Sequence, residues 1–348
     1  MEATVKVLVT GHLGYIGVVL TPMLLKRGHQ VVGMDSDLFR RCTFGAESQI
    51  ANVHNIRKDI RDVEAKDVQG FDACLHLAGL SNDPLGDFNP QLTYDINHLA
   101  SVKLAELCKK AGVNRWVFSS SCSNYGAGGD GLLDEQAAFN PVTPYGESKV
   151  RVERDVAPMA DSKFTPVFLR NATAYGVSAR IRFDLVVNNL TAWAYTTGQV
   201  LLKSDGTPWR PLVHIEDISR AFIAVMEAPR EKVHGQAFNI CASKENYRIR
   251  ELAEIVKETV PNSKVEFAGG AGPDKRNYRV SGDKFAAAFP DFVPKWTAKA
   301  AAQDLYNTFK KHNLTPNDFE GERYKRIAHI QGLLKEGTLS PDFRFKGN

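Results

Sequence analysis

Two polar side chains on one predicted helix, with a serine that ends a predicted strand, are suited to acid–base chemistry on an alcohol. The stretch "SSSCSNYG" ends a strand near Ser121, and "TPYGESK" opens a helix that contains Tyr145 and Lys149. Residues four apart share one face of a helix, so the phenol and the ammonium can reach one ligand. A free phenol has a pKa of about 10, which a nearby ammonium and a nicotinamide cation would lower. The three residues predict removal of a proton from a secondary alcohol whose hydride passes to a nicotinamide, with Ser121 hydrogen-bonded to the substrate oxygen.

A glycine-rich turn predicts where that nicotinamide dinucleotide would bind. The stretch "VLVTGHLGYIG" places Gly11, Gly14 and Gly17 between a strand and a helix. In such turns the first glycine bends the chain, the second lets a pyrophosphate approach the backbone, and the third lets helix and strand pack closely. The N–H groups that begin the helix then face the phosphates. Tyr15 and Ile16 lie in the same turn and are predicted to contact the cofactor.

Residues at the ends of the following strands predict the adenosine contacts. Asp35 ends "QVVGMD", where a carboxylate can accept hydrogen bonds from the ribose hydroxyls of NAD. A carboxylate there repels a 2′-phosphate, so NAD is favoured, while Arg40 and Arg41 keep NADP as an alternative. Asp59, in "RKDIRD", is placed to meet the adenine amino group. The remaining predicted cofactor contacts in these stretches are Ile60 and the small residues of "HLAG", namely Leu77, Ala78 and Gly79.

A parallel sheet would bring these strand ends together. The first half alternates amphipathic segments with short apolar runs such as "KVLVTG", "RWVFSSS" and "TPVFLRNA". Continuous apolar runs are typical of parallel strands covered on both faces, and their alternation with helices predicts right-handed βαβ units. We therefore expect an α/β fold with a Rossmann-type doubly wound parallel sheet over residues 1–176. A smaller, mixed α/β substrate-binding lobe is expected over 177–310, with some exchange of chain between the lobes. A C-terminal helical extension over 311–348 is expected to serve packing or an oligomer contact.

Composition argues against several other classes of protein. The 348 residues include 44 basic and 40 acidic side chains, a formal charge of +4 that is spread along the chain and indicates no nucleic-acid-binding face. Five cysteines without a CxxC pair indicate neither a metal site nor a disulfide framework. No apolar run is long enough to span a bilayer, and the first strand leaves no room for a signal peptide. We expect a cytoplasmic protein without a nucleic-acid or membrane partner.

The combined motifs resemble the extended short-chain dehydrogenase/reductase family. TGxxGxxG, an acidic strand end, DI, HLAG, SSS…YG and YxxxK occur in that order, and the resemblance extends to about residue 310. It is closest to nucleotide-sugar epimerases, dehydratases and reductases. It implies that Tyr145 is the catalytic acid/base, that Lys149 orients the nicotinamide ribose and that Ser121 completes the triad. It also implies that Asn97, in "YDINHLAS", supports the site, and that Ser119 contacts the cofactor.

The same resemblance implies an assembly and a substrate class. Two copies would form a homodimer through helices over residues 91–111 and 145–160. The substrate would be a nucleotide-diphosphate sugar. Asn189 and Leu190 in "VVNNL" match a pair that meets the nucleotide, Arg210 in "GTPWRPLVH" matches a phosphate-binding arginine, and Arg276 or Arg279 could clamp the second phosphate.

One departure from the family pattern affects the substrate contacts. Thr173 stands where family epimerases have an asparagine, and Asn171 lies two residues earlier. Arg180 and Arg182 in "SARIRFD" are an alternative source of sugar or phosphate contacts. The predicted substrate-binding set is therefore Ser81, Ser123, Asn171, Asn189, Leu190, Arg210 and Arg276.

The residues after Ser121 bear on which reaction the resemblance implies. Family dehydratases carry Asp-Glu at the next two positions, and decarboxylases keep a glutamate at the second, whereas this chain has Cys122 and Ser123. UDP-galactose 4-epimerases have only small residues there, because returning the hydride to C4 needs no further acid or base. An NAD-dependent epimerase that oxidises and re-reduces C4 of a nucleotide-diphosphate hexose is therefore favoured. A 4-dehydrogenase or 4-ketoreductase with net NAD(P)H turnover remains the alternative, ahead of a 4,6-dehydratase and a non-catalytic dinucleotide sensor. Cys122 is expected to be a buried, inert thiol.

Overall fold

The computed structural model describes residues 4–81, 83–268 and 276–346. Fourteen strands are present among these residues: β1 (Lys6–Thr10), β2 (Gln30–Asp35), β3 (His54–Arg57), β4 (Ala73–His76), β5 (Arg115–Ser121), β6 (Leu132–Leu133), β7 (Thr165–Asn171), β8 (Thr173–Tyr175), β9 (Gln199–Leu202), β10 (Trp209–His214), β11 (Ala237–Ile240), β12 (Asn246–Arg248), β13 (Lys264–Phe267) and β14 (Arg279–Val280). The α-helices of the same residues are α1 (Gly17–Lys26), α2 (Asp83–Phe88), α3 (Pro90–Tyr94), α4 (Ala100–Lys110), α5 (Pro144–Val156), α6 (Val186–Thr197), α7 (Ile215–Glu227), α8 (Arg230–Val233), α9 (Ile249–Thr259), α10 (Asp283–Ala288), α11 (Ala298–Lys311), α12 (Pro316–Glu320) and α13 (Arg326–Lys335).

Seven of the strands form one parallel sheet in the order β11-β7-β5-β4-β1-β2-β3. The order reverses at β1, so that β2 and β3 extend to one side and β4, β5 and β7 to the other. The remaining strands form three smaller sheets, β12-β10-β8, β13-β9 and β14-β6. The predicted Rossmann-type doubly wound sheet with a smaller mixed α/β lobe is confirmed.

Apolar side chains cover both faces of the main sheet. Along β1, Val7 and Val9 join one buried cluster, whereas Leu8 joins a second cluster on the opposite face, since alternate residues of a strand point to opposite faces. This two-sided burial explains why the strands appear as continuous apolar runs in the sequence. A third cluster lies in the smaller lobe, around α6, α9 and α11.

The chain passes between the lobes more than once. Strand β11, from residues expected in the second lobe, completes one edge of the main sheet beside β7. Farther on, Ile330 and Leu333 of α13 and Phe343 pack into the cluster on one face of that sheet. The boundaries at residues 176 and 310 remain a prediction.

Two further findings concern the described residues. None of their helices is both long and apolar enough to cross a bilayer. All five cysteines are buried and free.

Candidate active site

A cavity of about 520 Å³ opens where the strands of the main sheet reach their carboxyl ends. Ligands of open α/β sheets bind at this edge, beside the point where the strand order reverses. Twenty predicted site residues line the cavity: Gly11, Gly14, Tyr15, Ile16, Gly17, Asp35, Asp59, Ile60, Leu77, Ala78, Gly79, Ser81, Ser119, Ser121, Ser123, Tyr145, Lys149, Asn171, Arg210 and Arg276. The other three, Asn97, Asn189 and Leu190, do not line it.

The structure brings the predicted catalytic residues together at the start of α5. Thr143 caps this helix, and Tyr145 and Lys149 lie one turn apart on its cavity side. The Lys149 ammonium donates to the backbone carbonyl of Ser119 at 2.8 Å, and its Nζ lies 5.7 Å from the centre of the Tyr145 ring. The Tyr145 hydroxyl is hydrogen-bonded to Ser121. A phenol, an ammonium and a hydroxyl therefore converge on one point of the cavity.

Burial dominates the titration of this group of residues. It raises the pKa of Tyr145, while the hydrogen bond from Ser121 and the positive charge of Arg182 act in the opposite direction. Burial lowers the pKa of Lys149 to about 7, and the carboxylate of Glu153 partly offsets that effect. The unliganded site therefore favours a neutral phenol. An additional positive charge brought beside Tyr145 would favour the phenolate.

The glycine turn leaves bare backbone at the floor of the cavity. Gly11 has φ +74°, and a Cβ there would lie 2.7 Å from the backbone nitrogen of Ala78. A Cβ on Gly17 would lie 2.3 Å from the carbonyl oxygen of Gly11. Neither position has room for a side chain. With glycine at both positions no Cβ fills the turn, so a pyrophosphate can approach its backbone. These residues fit a dinucleotide.

The carboxylate of Asp35 is held in place at the end of β2. It accepts hydrogen bonds from the backbone N–H groups of Leu13, at 3.0 Å, and Asp37, at 2.8 Å. Burial raises the pKa of Asp35 to about 6, although both hydrogen bonds favour ionisation. Arg40 and Arg41 are absent from the cavity wall and form ion pairs with glutamates on the surface. The carboxylate of Asp35 is therefore the charged group at the end of β2 that can accept hydrogen bonds from a ribose.

The predicted adenine end of the cavity is formed by the segments after β3 and β4. The carboxylate of Asp59 accepts from the backbone N–H of Arg61 at 2.9 Å and forms an ion pair with its guanidinium at 2.7 Å. Ile60 is buried and presents an apolar surface. Residues 77–79 follow β4, and the N–H of Leu77 donates to the carbonyl of Thr10 at 3.0 Å. The polar group at Asp59 and the apolar surface beside it suit a base.

Asn97 lies behind the cavity wall and supports it. Residues Asp95–Leu99 form one π-helical turn, a distortion that is common at functional sites. The side-chain oxygen of Asn97 accepts from the N–H of Leu80 at 2.7 Å, and its amide donates to the carbonyl of Leu80 at 2.9 Å and to the hydroxyl of Ser148 at 3.3 Å. Asn97 thereby fixes the loop after β4 against α5, next to Tyr145.

Two ion pairs line the part of the cavity beside Tyr145. Arg182 binds the carboxylate of Asp184 with two nitrogens, at 3.1 and 2.6 Å, and donates to the hydroxyl of Ser81 at 3.0 Å. Asp83 forms an ion pair with Arg276. The second oxygen of Asp83, Oδ1, is buried and has no partner among the described residues. No motif in the sequence indicated Asp83, and Arg182 was predicted only as an alternative source of substrate contacts.

Asn171 and Arg210 reach the same region from β7 and β10. The amide of Asn171 donates to the hydroxyl of Ser119 at 3.1 Å, while its Oδ1 is buried without a partner in the described part of the chain. Arg210 donates to the carbonyl of Trp209 at 2.8 Å and to that of Arg276. Asn171 thus retains an acceptor for a ligand, and Arg210 helps to position the Arg276 segment.

Cys122 and Ser123 follow Ser121, the predicted catalytic serine, but face different surroundings. The thiol of Cys122 is fully buried, lies 3.1 Å from the carbonyl oxygen of Arg170, and has its pKa raised by burial. Ser123 lines the cavity, and its N–H donates to the hydroxyl of Ser121 at 3.1 Å. The protonated thiol lies outside the cavity wall.

The structure places Asn189 and Leu190 away from the cavity. The Asn189 amide donates to a backbone carbonyl of the preceding loop at 2.8 Å, and Leu190 packs in the core of the smaller lobe. Their neighbour Asn188 instead donates to the hydroxyl of Tyr15 at 3.1 Å and to the carbonyl of Arg182 at 2.9 Å. Asn188 does not line the cavity either, but it supports Tyr15, which does.

Other arginines of the predicted substrate region are occupied elsewhere. Arg180 is buried and pairs with Asp37 at 3.1 Å, so it holds the loop after β2. Arg279 is absent from the cavity wall and stacks 4.6 Å from the centre of the Trp209 ring. By contrast Arg326, from the segment expected to serve only packing or assembly, lines the cavity.

Comparisons with known proteins identify a family for this chain. The sequence model of the family described as "NAD dependent epimerase/dehydratase family" matches residues 7–241 of this chain. The chain is similar to UDP-glucose 4-epimerase 4 of Oryza sativa subsp. japonica, with 29% identity over 331 residues that cover 86% of this chain and 87% of the relative.

Two solved structures share the fold. One is an NAD-dependent NDP-hexosamine 5,6-dehydratase, TunA, involved in tunicamycin biosynthesis, with a TM-score of 0.77, 21% identity and coverage of 88% of this chain and 98% of the other. The second is MoeE5 in complex with UDP-glucuronic acid and NAD, with a TM-score of 0.76, 24% identity and coverage of 88% and 99%.

Proposed function

The chain belongs to the NAD-dependent epimerase/dehydratase family, and we propose that it epimerises C4 of a nucleotide-diphosphate hexose through a 4-keto intermediate. Membership makes it an NAD-dependent enzyme of the extended short-chain dehydrogenase/reductase type. The choice of epimerisation within the family rests on the state of the acidic groups beside Tyr145.

The observation that carries the proposal is that these carboxylates are engaged with arginines. Asp184 binds Arg182 with both oxygens, and Asp83 is paired with Arg276. A carboxylate that is held by a guanidinium is less free to approach a substrate hydroxyl as an additional acid or base. Elimination of water from a sugar needs an acid and a base in addition to the tyrosine, whereas epimerisation at C4 needs the tyrosine alone. The arrangement therefore favours epimerisation.

The residues of the chain would act on the substrate as follows. The glycine turn, Asp35 and Lys149 would hold NAD, which when bound would supply a hydride acceptor and donor at C4 and a positive charge that favours the Tyr145 phenolate. Tyr145 takes the proton of the C4 hydroxyl and later gives it back, and Ser121 donates a hydrogen bond to the same oxygen. Lys149, held by the carbonyl of Ser119 at 2.8 Å, would contact the nicotinamide ribose. Inversion requires the keto sugar to turn within the cavity, so that the hydride returns to its other face.

A direct assay separates this reaction from its alternatives. The chain is incubated with NAD and with UDP-, dTDP-, GDP- or CDP-hexoses, and the products are identified by chromatography and NMR while nicotinamide absorbance is followed. We expect a C4 epimer without net change in NADH. A net change in NADH would identify a dehydrogenase or reductase, and release of a 4-keto-6-deoxy sugar would identify a dehydratase. Conversion of none of these substrates would contradict the proposal.

Cofactor affinity is expected to fall in mild acid because of Asp35. The carboxylate must be ionised to accept hydrogen bonds from both ribose hydroxyls, and its pKa in the free protein is raised to about 6. Below that pH, NAD binding must expel a proton, so the dissociation constant should rise about tenfold per pH unit. NAD titrations between about pH 5 and pH 8 measure this. Asp35→Asn should bind more weakly and should lose the fall in affinity below about pH 6, whereas a change near pH 7 that comes from Lys149, whose pKa is about 7, should remain. A flat profile in the unaltered protein would contradict the assignment.

Asp83 is expected to position the sugar, because the residue lines the cavity and its buried Oδ1 has no partner among the described residues. Asp83→Asn should raise KM for the sugar nucleotide about tenfold, which is the size of effect of one hydrogen bond to a charged group. We expect kcat and NAD affinity to change less than about threefold. Steady-state kinetics and NAD titration test this, with Asp95→Asn, outside the cavity wall, as the control. A lost turnover with unchanged KM would instead give Asp83 an acid–base role and favour dehydration.

Three further features belong to the proposal. We assign the predicted site residues that line the cavity to binding of cofactor and substrate. Asn97 is assigned a supporting role. A homodimer through α3, α4 and α5 is proposed from the family resemblance, and light scattering of the purified chain tests it. A cytoplasmic location is proposed from the sequence, which indicates neither a disulfide framework nor a membrane-spanning run.

A further inference from the structure

Two residues far beyond the matched family region contribute to the wall of the dinucleotide cavity. They are Arg326, the first residue of α13, and Phe343, whereas the family match ends at residue 241. We propose that the segment 326–346, which we call the flanking segment, is a binding element for the adenosine diphosphate half of the cofactor. Arg326 would donate to a pyrophosphate oxygen, and Phe343 would pack against the adenine. The inference rests on the dinucleotide site of the proposed function, but it does not depend on which sugar reaction follows.

The guanidinium of Arg326 is buried with one nitrogen unused. The residue is 5% exposed, Nη2 donates to the carbonyl of Arg180 at 2.9 Å, and the group lies 4.1 Å from the centre of the Phe39 ring. Nη1 is buried and has no partner among the described residues. A buried charged donor without a partner is costly, and this one borders a cavity. The guanidinium also has a side-chain hydrogen bond with the thiol of Cys42, but Nη1 is left to bind an anionic oxygen of a ligand.

The contacts of Arg326 place it near the glycine turn. Arg180, whose carbonyl it holds, donates in turn to the carbonyl of Leu13 at 3.1 Å and pairs with Asp37 at 3.1 Å. Leu13 lies inside the glycine turn, and Asp37 lies two residues after Asp35. In a bound dinucleotide the pyrophosphate lies between the glycine turn and the ribose, and it carries the negative charge that a guanidinium binds best.

Phe343 lies at the other end of the adenosine region. The carbonyl of Asp342 accepts from Arg61 at 2.8 Å, and Arg344 donates to the carboxylate of Asp62 at 3.0 Å. These contacts fasten the flanking segment to the residues that follow Asp59, the predicted adenine contact. Phe343 as a whole residue is 4% exposed.

The backbone and packing of Phe343 also point to a ligand. Its φ is +62°, a conformation rarely adopted by a bulky residue, and such strain concentrates at binding sites. Its ring stacks on that of Phe88, with centroids 6.2 Å apart and planes 20° apart. The contacts on either side of Phe343 hold it in this position, so that it forms part of the cavity wall near Ile60.

Binding of cofactor fragments tests the proposal without relying on turnover. Nucleotide-free full-length protein is titrated calorimetrically with NAD, ADP-ribose and nicotinamide mononucleotide. Arg326→Met should weaken NAD and ADP-ribose at least about tenfold, as expected for a lost hydrogen bond to a charged group. Nicotinamide mononucleotide should be affected less than about twofold. Arg323→Met, at an exposed arginine of the same region, is the matched control and should bind all three like the unaltered protein.

The phenylalanine has its own matched pair of variants. Phe343→Leu should weaken ADP-ribose several-fold, whereas Phe345→Leu, which changes a nearby ring that does not line the cavity, should not. Unaltered ADP-ribose affinity in both Arg326→Met and Phe343→Leu would overturn the proposal.

A measurement on the unaltered protein covers the case in which a variant fails to fold. Addition of ADP-ribose should slow hydrogen exchange of backbone amides in residues 326–346, and unchanged exchange there would overturn the proposal. The outcome is distinguishable from failure of the proposed function. A protein that binds NAD through Arg326 but epimerises no sugar nucleotide would remove the epimerase assignment and retain this one. Normal epimerisation together with unaltered cofactor affinity in Arg326→Met would retain the epimerase assignment and overturn the role proposed for Arg326.

Discussion

Replacing Tyr145 by phenylalanine should lower the rate of C4 epimerisation about a thousandfold, within the usual range for loss of a general acid–base group. The ring and its position on α5 remain, but no group is left to take the proton of the substrate hydroxyl. Ser121 retains its hydrogen bond to the substrate and the contact with Lys149 is unchanged, so NAD affinity should change less than about threefold. Single-turnover kinetics with excess enzyme, together with NAD titration, measure both quantities.

The control for this variant is a tyrosine outside the site. Tyr195 lies in α6, away from the cavity wall, and contacts Tyr306. Tyr195→Phe should keep the full rate, which would show that loss of a phenol as such is harmless. If Tyr145→Phe kept more than about a tenth of the original rate, the proton would have to leave by another route and the assignment of Tyr145 would fail.

Local patterns in the sequence were sufficient for the fold and for the centre of the site. The apolar runs, the glycine turn and the Tyr145–Lys149 spacing each depend on residues close together in the chain. Parallel strands also end at one edge of a sheet, so the order of motifs already implied that Asp35, Ser121 and Asn171 would converge. The predicted cofactor residues other than Asn97 indeed line one cavity.

The contacts that the sequence did not indicate depend on distant segments or on the exact phase of a helix. Arg326 reaches the cavity because α13 packs back onto the first lobe, and no local pattern encodes that contact. Asn188 rather than Asn189 contacts Tyr15, because one residue turns a helical side chain by about 100°. The sequence alone did not show whether Arg182 would contact substrate or an internal partner. In the folded chain its side chain contacts Asp184 and Ser81.

Removal of a buried ion pair behind α5 is expected to have the largest effect on stability. Glu153 lies eight residues after Tyr145, on the same side of α5 as Lys149, and binds the guanidinium of Arg170 at 2.7 Å. The two side chains are 6% and 7% exposed. Glu153 also accepts hydrogen bonds from Ser120 and from the amide of Asn124, the latter at 2.9 Å. The pair therefore joins α5 to β5, to β7 and to the loop after Ser121.

Replacing Glu153 by alanine should lower the free energy of unfolding by about 4 kcal/mol, because it leaves the guanidinium of Arg170 buried without its counter-charge. Urea unfolding followed by circular dichroism measures this. The double variant Glu153→Ala/Arg170→Met should lose clearly less than the sum of the two single losses, since the second change removes the uncompensated charge created by the first. Losses that simply add would mean that the two charges contribute independently. In that case the tie between α5 and the sheet, which sets the position of Tyr145, would have to come from apolar packing instead.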